Sequence, residues 1–287
     1  MSELVGVDFN HPAAAHPKIL DAEQGLIEIL PRRKKYAVVG FATSSRDLAP
    51  FDDPEWVIAG LNQLYRHIPR ADIWYDIHVN WNEHVVEGTD HEAWIKASPI
   101  PVFMAQRVPE LGPASVRYPI ERMIAKFSDY FTSTVAFALA WSIDMIDQSV
   151  AADLALESVA SPEAFLARQR ELYAQHTIGI FGIDLIVGGE YFYQKACAEY
   201  FIGQACGRGI TVFIPPQSAL CKQSHRYGYH VEPDYPLSMS FLEKRRAEFA
   251  VKRDTLLKEL YTFDGASQEN ALMIQMTELR LRGGNPV

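Results

Sequence analysis

Cysteine is scarce in this sequence, and the motifs of several large enzyme classes are absent. The three cysteines, Cys197, Cys206 and Cys221, are an odd number, and no two of them have the CxxC spacing. The chain also lacks a GxSxG nucleophile elbow and a protein-kinase signature. The sequence therefore predicts neither a disulfide framework nor a zinc knuckle.

Long apolar runs and an excess of positive charge are missing as well. No stretch reaches the roughly 18 consecutive apolar residues that a membrane-spanning helix needs, and the N-terminal segment MSELVGVDFNHP lacks the basic and apolar regions of a signal peptide. The formal net charge of −9 argues against broad electrostatic binding to nucleic acid or to anionic lipid. We therefore expect a cytoplasmic protein that binds neither a membrane nor nucleic acid.

The apolar residues that are present form short runs that end in polar loops. With 287 residues, of which 48% are hydrophobic, the chain can bury one large core. Short runs separated by helical segments are typical of parallel strands that are covered on both faces. The sequence predicts an α/β fold, with a Rossmann-like, mostly parallel sheet and helices on both faces. The predicted strands are 36–41, 56–59, 73–77, 101–105, 177–187 and 210–214.

The pattern along the chain divides it into three parts. We predict an N-terminal extension (1–35), a Rossmann-like nucleotide-binding domain (36–236) and a C-terminal helical hairpin (237–287) that turns at Asp264-Gly265. In the hairpin, apolar residues recur at spacings close to whole helical turns among dense charge, which requires an apolar partner surface. That surface belongs either to the chain's own domain or to a second copy, which makes a homo-oligomer one of two predictions.

Polar residues follow the first two predicted strands, where an open parallel sheet places its ligand crevice. The first strand leads into Gly40, Thr43 and Ser44, in a loop that is neither a GxGxxG motif nor a P-loop, and the second leads into Asn62. Hydroxyls and amides at these positions can bind a phosphate, a base or a ribose. Ordinary polar turns have the same composition, so spacing alone leaves both interpretations open.

Five short motifs occur here in the same order as in a known group of enzymes. They resemble bacterial sialyltransferases that use CMP-sialic acid, and the framework is similar to that of motility accessory factor glycosyltransferases and of archaeal pterin pyrophosphokinases. The resemblance covers about residues 36–221, and the overall pattern also resembles uncharacterised bacteriophage proteins. The motifs are Gly40-x-x-x-Ser44, Leu61-Asn62-Gln63-Leu64-Tyr65, Phe131-Thr132-Ser133, Gly182-Ile183-Asp184 and Pro216-Gln217-Ser218-Ala219-Leu220.

The resemblance implies a glycosyltransferase with a nucleotide-sugar donor, most simply of the CMP type, and an acceptor that the motifs do not identify. It implies no metal and no cofactor beyond that donor. It also implies a nucleotide pocket with Asp184 at its floor. The residues that would line the pocket are the Gly40 loop with Thr43 and Ser44, then Asn62, Ser133, Thr134 and Ser218.

The sequence departs from those enzymes where they carry a catalytic histidine. They place it after the Gly-Ile-Asp strand, whereas residues 185–204 contain no histidine. Glu190 lies in the loop after that strand and is our candidate general base, with a solvated loop carboxylate as the alternative. His225 and Arg226 follow the last strand, either as a lid over phosphate, with His225 as a further catalytic candidate, or as an exposed basic loop.

Other chemistries compete with this interpretation. His78, His84 and His91 are spaced by six and seven residues, which does not place them on one helix face as in HExxH, so we predict no metal site. Glu190 would also suit an enzyme that cleaves the N-glycosidic bond of a nucleotide. A third alternative is a non-catalytic nucleotide-binding or structural phage protein, which needs a pocket but no base.

Overall fold

The computed structural model describes residues 6–29, 32–81, 90–185, 189–222, 226, 228–229 and 239–282. The chain forms two compact units, Met1–Lys222 and Gln223–Val287. In the first unit, the predicted N-terminal extension contains a small antiparallel sheet of β1 (Lys18–Asp21) and β2 (Leu26–Glu28). Ile27 of β2 is buried in the main core.

A seven-stranded sheet, in which every neighbouring pair is parallel, forms the centre of the first unit. The strand order is β7-β6-β5-β4-β3-β8-β9. This arrangement confirms the predicted α/β, Rossmann-like fold. The strands are β3 (Lys35–Val39), β4 (Trp56–Leu61), β5 (Ile73–Asp76), β6 (Val102–Met104), β7 (Ser115–Arg117), β8 (Thr177–Phe181) and β9 (Thr211–Phe213).

Both faces of the sheet are covered, which explains why its central strands are apolar at nearly every position. Successive side chains of β3 alternate between the two cores: Tyr36 and Val38 belong to one, and Ala37 and Val39 to the other. Helices cover the first face, and short helical turns with one helix cover the second. The helices of the first unit are α1 (His91–Ala97), α2 (Ile120–Lys126), α3 (Thr134–Ala155), α4 (Pro162–Ala174) and α5 (Gly189–Arg208).

The segment after Ser133 forms a buried helix, α3, that begins with a hydroxyl cap. The Ser133 side chain accepts a hydrogen bond from the Ala136 amide at 3.3 Å, and apolar residues are buried around most of the helix. By length and composition α3 is the one helix among the described residues that could cross a membrane, and its most apolar 18-residue window is 67% buried inside the protein. Core helices of folded domains share this length and composition.

A buried ion pair ties the edge of the second core together. Arg70 and Asp72 are essentially inaccessible, and Arg70 Nη2 donates to Asp72 Oδ2 at 2.9 Å. Asp72 also accepts hydrogen bonds from the amides of Ala15 and Ile58, both at 2.7 Å. The carboxylate therefore links the segment before β1 to the central sheet.

Three predictions about individual segments are wrong. The run 177–187 ends as a strand at Phe181, and the edge strand β7 forms at Ser115–Arg117, where the sequence predicted no strand. The predicted hairpin in 237–287 is one continuous helix, α6 (Met239–Leu281), with Gly265 in its interior. A glycine inside a helix costs about 1 kcal/mol relative to alanine, and a cost of that size does not end a helix of 43 residues.

Candidate functional site

The chain order reverses between β3 and β8, which are neighbours in the sheet although the chain visits four other strands of the sheet between them. Open parallel sheets bind ligands in the crevice beyond the carboxyl ends of the strands at such a switch point. A cavity of about 770 Å³ lies there. Its lining comes from the loops after β3, β4, β5 and β8, from the start of α3 and from α5. It includes Gly40, Phe41, Ala42, Asn62, His78, Phe131, Ser133, Thr134, Asp184 and Gln194.

Two glycines let the loops after β3 and β8 meet at the base of this cavity. The Gly40 amide donates to the Phe181 carbonyl at 2.9 Å, and the Ala42 amide donates to the Gly182 carbonyl at 2.8 Å. A Cβ atom on Gly40 would lie 2.6 Å from the Gly182 oxygen, and one on Gly182 would lie 2.4 Å from the Gly40 oxygen. Gly182 also has a φ of +64°, so the close approach requires glycine at both positions.

The hydroxyl groups of Ser44 and Ser218 fix the loop after β8 and do not line the cavity. Ser44 Oγ donates to Asp184 Oδ2, and Ser218 Oγ donates to the Ile183 carbonyl, each at 2.7 Å. Asp184 lines the cavity, whereas Ser44, Ser218 and the exposed Thr43 are not among its lining residues. Two of the predicted pocket residues, Ser44 and Ser218, therefore act on the cavity through the residues that they hold.

Asn62 brings an unpartnered polar atom to the cavity wall. Its φ is +51°, a conformation that asparagine tolerates better than most residues. Its backbone amide donates to the Tyr75 carbonyl at 2.8 Å, and its carbonyl accepts from Trp74 Nε1 at 2.7 Å. The side-chain Oδ1 is buried without a hydrogen-bond partner among the described residues, so a ligand donor that gains access to it would meet an unsatisfied acceptor.

The start of α3 forms another wall of the cavity through Ser133 and Thr134. This helix is 22 residues long, and its first amides and the positive end of its dipole lie at Ser133. Such a helix start favours a phosphate or another anion. It lies in the same cavity as Asn62 and the Gly40 loop.

A buried carboxylate with two histidines adjoins the cavity at the end of β5. Asp76 is 2% exposed. Its Oδ1 lies 2.5 Å from His78 Nδ1, and its Oδ2 lies 2.5 Å from His91 Nε2. His78 lines the cavity, whereas His91 is buried behind it and stacks on the Tyr65 ring at 5.6 Å between ring centroids.

The electrostatics of this cluster keep Asp76 ionised. Burial by itself raises the pKa of the Asp76 carboxyl, but the hydrogen bonds from His78 and His91 outweigh burial and lower the pKa to about 2. An ionised carboxylate can only accept hydrogen bonds, so His78 Nδ1 and His91 Nε2 both carry protons. The carboxylate thus fixes the orientation of both rings.

Sequence reasoning considered these histidines only as metal ligands and did not consider Asp76 at all. The order Tyr75-Asp76-Ile77-His78 at the end of a buried strand was the signal that could have found the pair, because alternate residues of a strand share a side. Within the described part of the chain, no group of three or more His, Cys, Asp or Glu residues is placed to hold a metal ion. His84 lies outside the described residues.

The other catalytic and lid candidates are not placed at the cavity by the structure. The backbone of Glu190 lies in the first turn of α5, but its side chain is outside the described part of the chain. His225 is also outside the described residues, and Arg226 is exposed in the second unit. From α5, the residue that does line the cavity is Gln194, which sequence reasoning had not selected.

No protein-family model matches the chain, and neither a curated protein nor a solved structure shows a significant match to it.

Proposed function

We propose that the cavity binds a nucleotide and that the chain is a glycosyltransferase with a nucleotide-sugar donor, with CMP as the favoured nucleotide. The observation that carries this proposal is the combination, in one switch-point cavity, of the start of α3 with the unpartnered Oδ1 of Asn62. A nucleotide presents an anion and a base at a distance from each other. The start of α3 offers donors to the anion, and Asn62 Oδ1 offers an acceptor to the base.

The start of α3 is the proposed phosphate site. Ser133 and Thr134 add hydroxyl donors to the backbone amides of the first turn. The lining also includes the Asp184 carboxylate, which repels phosphate but accepts hydrogen bonds from ribose hydroxyls. These charges orient a nucleotide with its phosphate at α3 and its ribose near the loop after β8.

The base is assigned to the wall formed by Asn62 and Phe41. Asn62 Oδ1 accepts a hydrogen bond from an exocyclic amino group such as that of cytosine. Phe41 is 46% exposed and lines the same cavity, where an aromatic ring can stack on a base. The volume of about 770 Å³ falls within the usual range of roughly 300–1,000 Å³ for small-molecule sites.

A thermal-shift screen tests the proposal. CMP, UMP, AMP, GMP and the corresponding nucleotide-sugars are added to the full chain, and specific binding stabilises the native state by about 2.7 kcal/mol when the ligand is at 100 times its Kd. We expect CMP and CMP-sugars to give the largest rise in Tm. A panel in which no nucleotide raises the Tm contradicts the proposal.

Asn62→Gly provides the matched variant for the screen. The substitution removes the orphan oxygen and is compatible with the φ of +51°, so binding of CMP should weaken while the fold is retained. Binding of CMP without any turnover of CMP-sugars would instead identify the protein as a non-catalytic nucleotide-binding protein.

A further inference from the structure

The Asp76 cluster contains the elements of an oriented proton acceptor. His78 lies in the cavity lining, and Asp76, buried behind it, holds Nδ1 at 2.5 Å. When a carboxylate holds one ring nitrogen of a histidine, the proton on that nitrogen fixes the tautomer, and the other nitrogen is the one that accepts a proton. Enzymes use this arrangement to activate a hydroxyl nucleophile.

We propose that His78 is the general base that activates the acceptor hydroxyl, and that Asp76 and His91 are the residues that position it. This inference rests on the proposed function, because it assumes a nucleotide-sugar in the cavity. It assigns to His78 the role that the sequence had given to Glu190.

His91 makes Asp76 a more rigid partner for His78. Its Nε2 occupies the second oxygen of the carboxylate, so the carboxylate cannot rotate without breaking a buried hydrogen bond. The His91 ring is itself held between Asp76 and the stacked ring of Tyr65. The result is a chain of contacts from the second core to the cavity.

The proposed step is the displacement of the nucleotide by a hydroxyl group. The hydroxyl oxygen of the acceptor, or of water, forms a bond to the anomeric carbon of the donor. The bond between that carbon and the phosphate oxygen breaks, and CMP leaves with the electron pair. The hydroxyl proton passes to His78 Nε2, and the imidazolium, stabilised by ionised Asp76, later releases it to solvent.

The main test compares His78→Asn with His16→Asn in the full chain. The asparagine amide at position 78 retains a donor for Asp76 but removes the basic nitrogen, whereas His16 is exposed, is not a lining residue, and has a φ of +46° that asparagine tolerates. CMP affinity is measured by calorimetry, and release of CMP from CMP-sialic acid is measured as turnover. We expect His78→Asn to keep its CMP affinity within about threefold and to lose roughly 100-fold or more in turnover, and His16→Asn to match the wild type.

Each outcome separates this inference from the proposed function. A wild type that does not bind CMP contradicts the proposed function itself. CMP binding with wild-type turnover in His78→Asn, or with no turnover in the wild type, overturns the assignment of the base and leaves nucleotide binding intact. Loss of both binding and turnover in a folded His78→Asn protein makes His78 a binding residue instead.

An NMR measurement decides the question if His78→Asn does not fold. In wild-type protein labelled with 15N, we expect the neutral His78 ring to carry its proton on Nδ1 and to shift when CMP is added. In Asp76→Asn, the tautomer populations of His78 should change, because an amide can donate to Nδ1 as well as accept from it. A neutral His78 with its proton on Nε2 in the wild type overturns the inference.

Discussion

At the scale of single residues, the contact between Gly40 and Gly182 sets how closely two loops approach at the base of the cavity. Gly182→Ala places a Cβ 2.4 Å from a backbone oxygen at a φ of +64°. We expect a loss of about 2–4 kcal/mol in unfolding free energy, measured by urea denaturation. The control is Gly203→Ala in α5, where a Cβ meets no atom within 4 Å and helix propensity should add about 0.5–1 kcal/mol. Equal effects in the two variants would contradict the described loop contact.

The low pKa of Asp76 predicts a dependence of stability on pH. A carboxyl whose pKa falls from 3.8 to about 2 on folding stabilises the native state above the unfolded value, and the effect is lost as pH falls through the folded value. The full contribution is about 2 kcal/mol, of which about half is lost between pH 6 and pH 3. We therefore expect the difference in unfolding free energy between wild type and Asp76→Asn to shrink by about 1 kcal/mol over that range. A difference that stays constant would show that the two histidines do not lower the pKa of Asp76.

At the scale of elements, two serine-capped helices allow the proposed role of α3 to be separated from simple capping. Ser133 caps α3 and Ser161 caps α4 through the same bond to the amide three residues on, at 3.3 and 3.2 Å. Ser133→Ala and Ser161→Ala should each lose about 1 kcal/mol of stability. Only Ser133→Ala should weaken CMP binding, measured by calorimetry, because only the start of α3 lines the cavity. An equal CMP affinity in both variants would remove α3 from the proposed phosphate site.

The sequence predicts a helix or strand correctly where the residues of that element are enough to determine its structure. The apolar residues of β3 by themselves indicate a buried strand, and the capped apolar segment of α3 by itself indicates a buried helix. The residues of the three-residue strand β7 are not enough, because pairing with β6 rather than their own pattern makes them a strand. The contact between Asp76 and His91 was missed for the same reason, because His91 is fifteen residues away and meets Asp76 only in the folded chain.

The predicted pocket residues show the same difference between what the chain order determines and what only the fold determines. Gly40 and Asn62 follow strands directly and Asp184 lies three residues after β8, so the parallel sheet brings them to one edge. Ser44 and Ser218 also lie near that edge, but their hydroxyls turn to Asp184 and to the Ile183 carbonyl. Spacing along the chain gives the position of a side chain and not its hydrogen-bond partner.

At the scale of the whole molecule, we propose that two copies of the chain associate through α6. It is a 43-residue helix whose described side chains are exposed. Four of its apolar residues recur every seven positions, as on the contact face of a coiled coil. The four are Leu242, Phe249, Leu256 and Phe263, which are 40%, 57%, 54% and 74% exposed.

Full-length Leu256→Glu and Val251→Glu test that proposal by sedimentation at micromolar concentration. Both replace an exposed apolar residue of α6 by glutamate, but Val251 lies on the opposite side of the helix from the seven-residue repeat. We expect a dimeric wild type, a dimeric Val251→Glu and a weakened or monomeric Leu256→Glu. A wild type that sediments as a monomer would exclude the dimer.

The structure of the full chain crystallised with CMP is the most direct test of the nucleotide site. We predict that the phosphate lies at the start of α3 within hydrogen-bond distance of Ser133 or Thr134, and that the base reaches Asn62 Oδ1. CMP bound elsewhere, or a switch-point cavity that stays empty at millimolar CMP, would contradict the account.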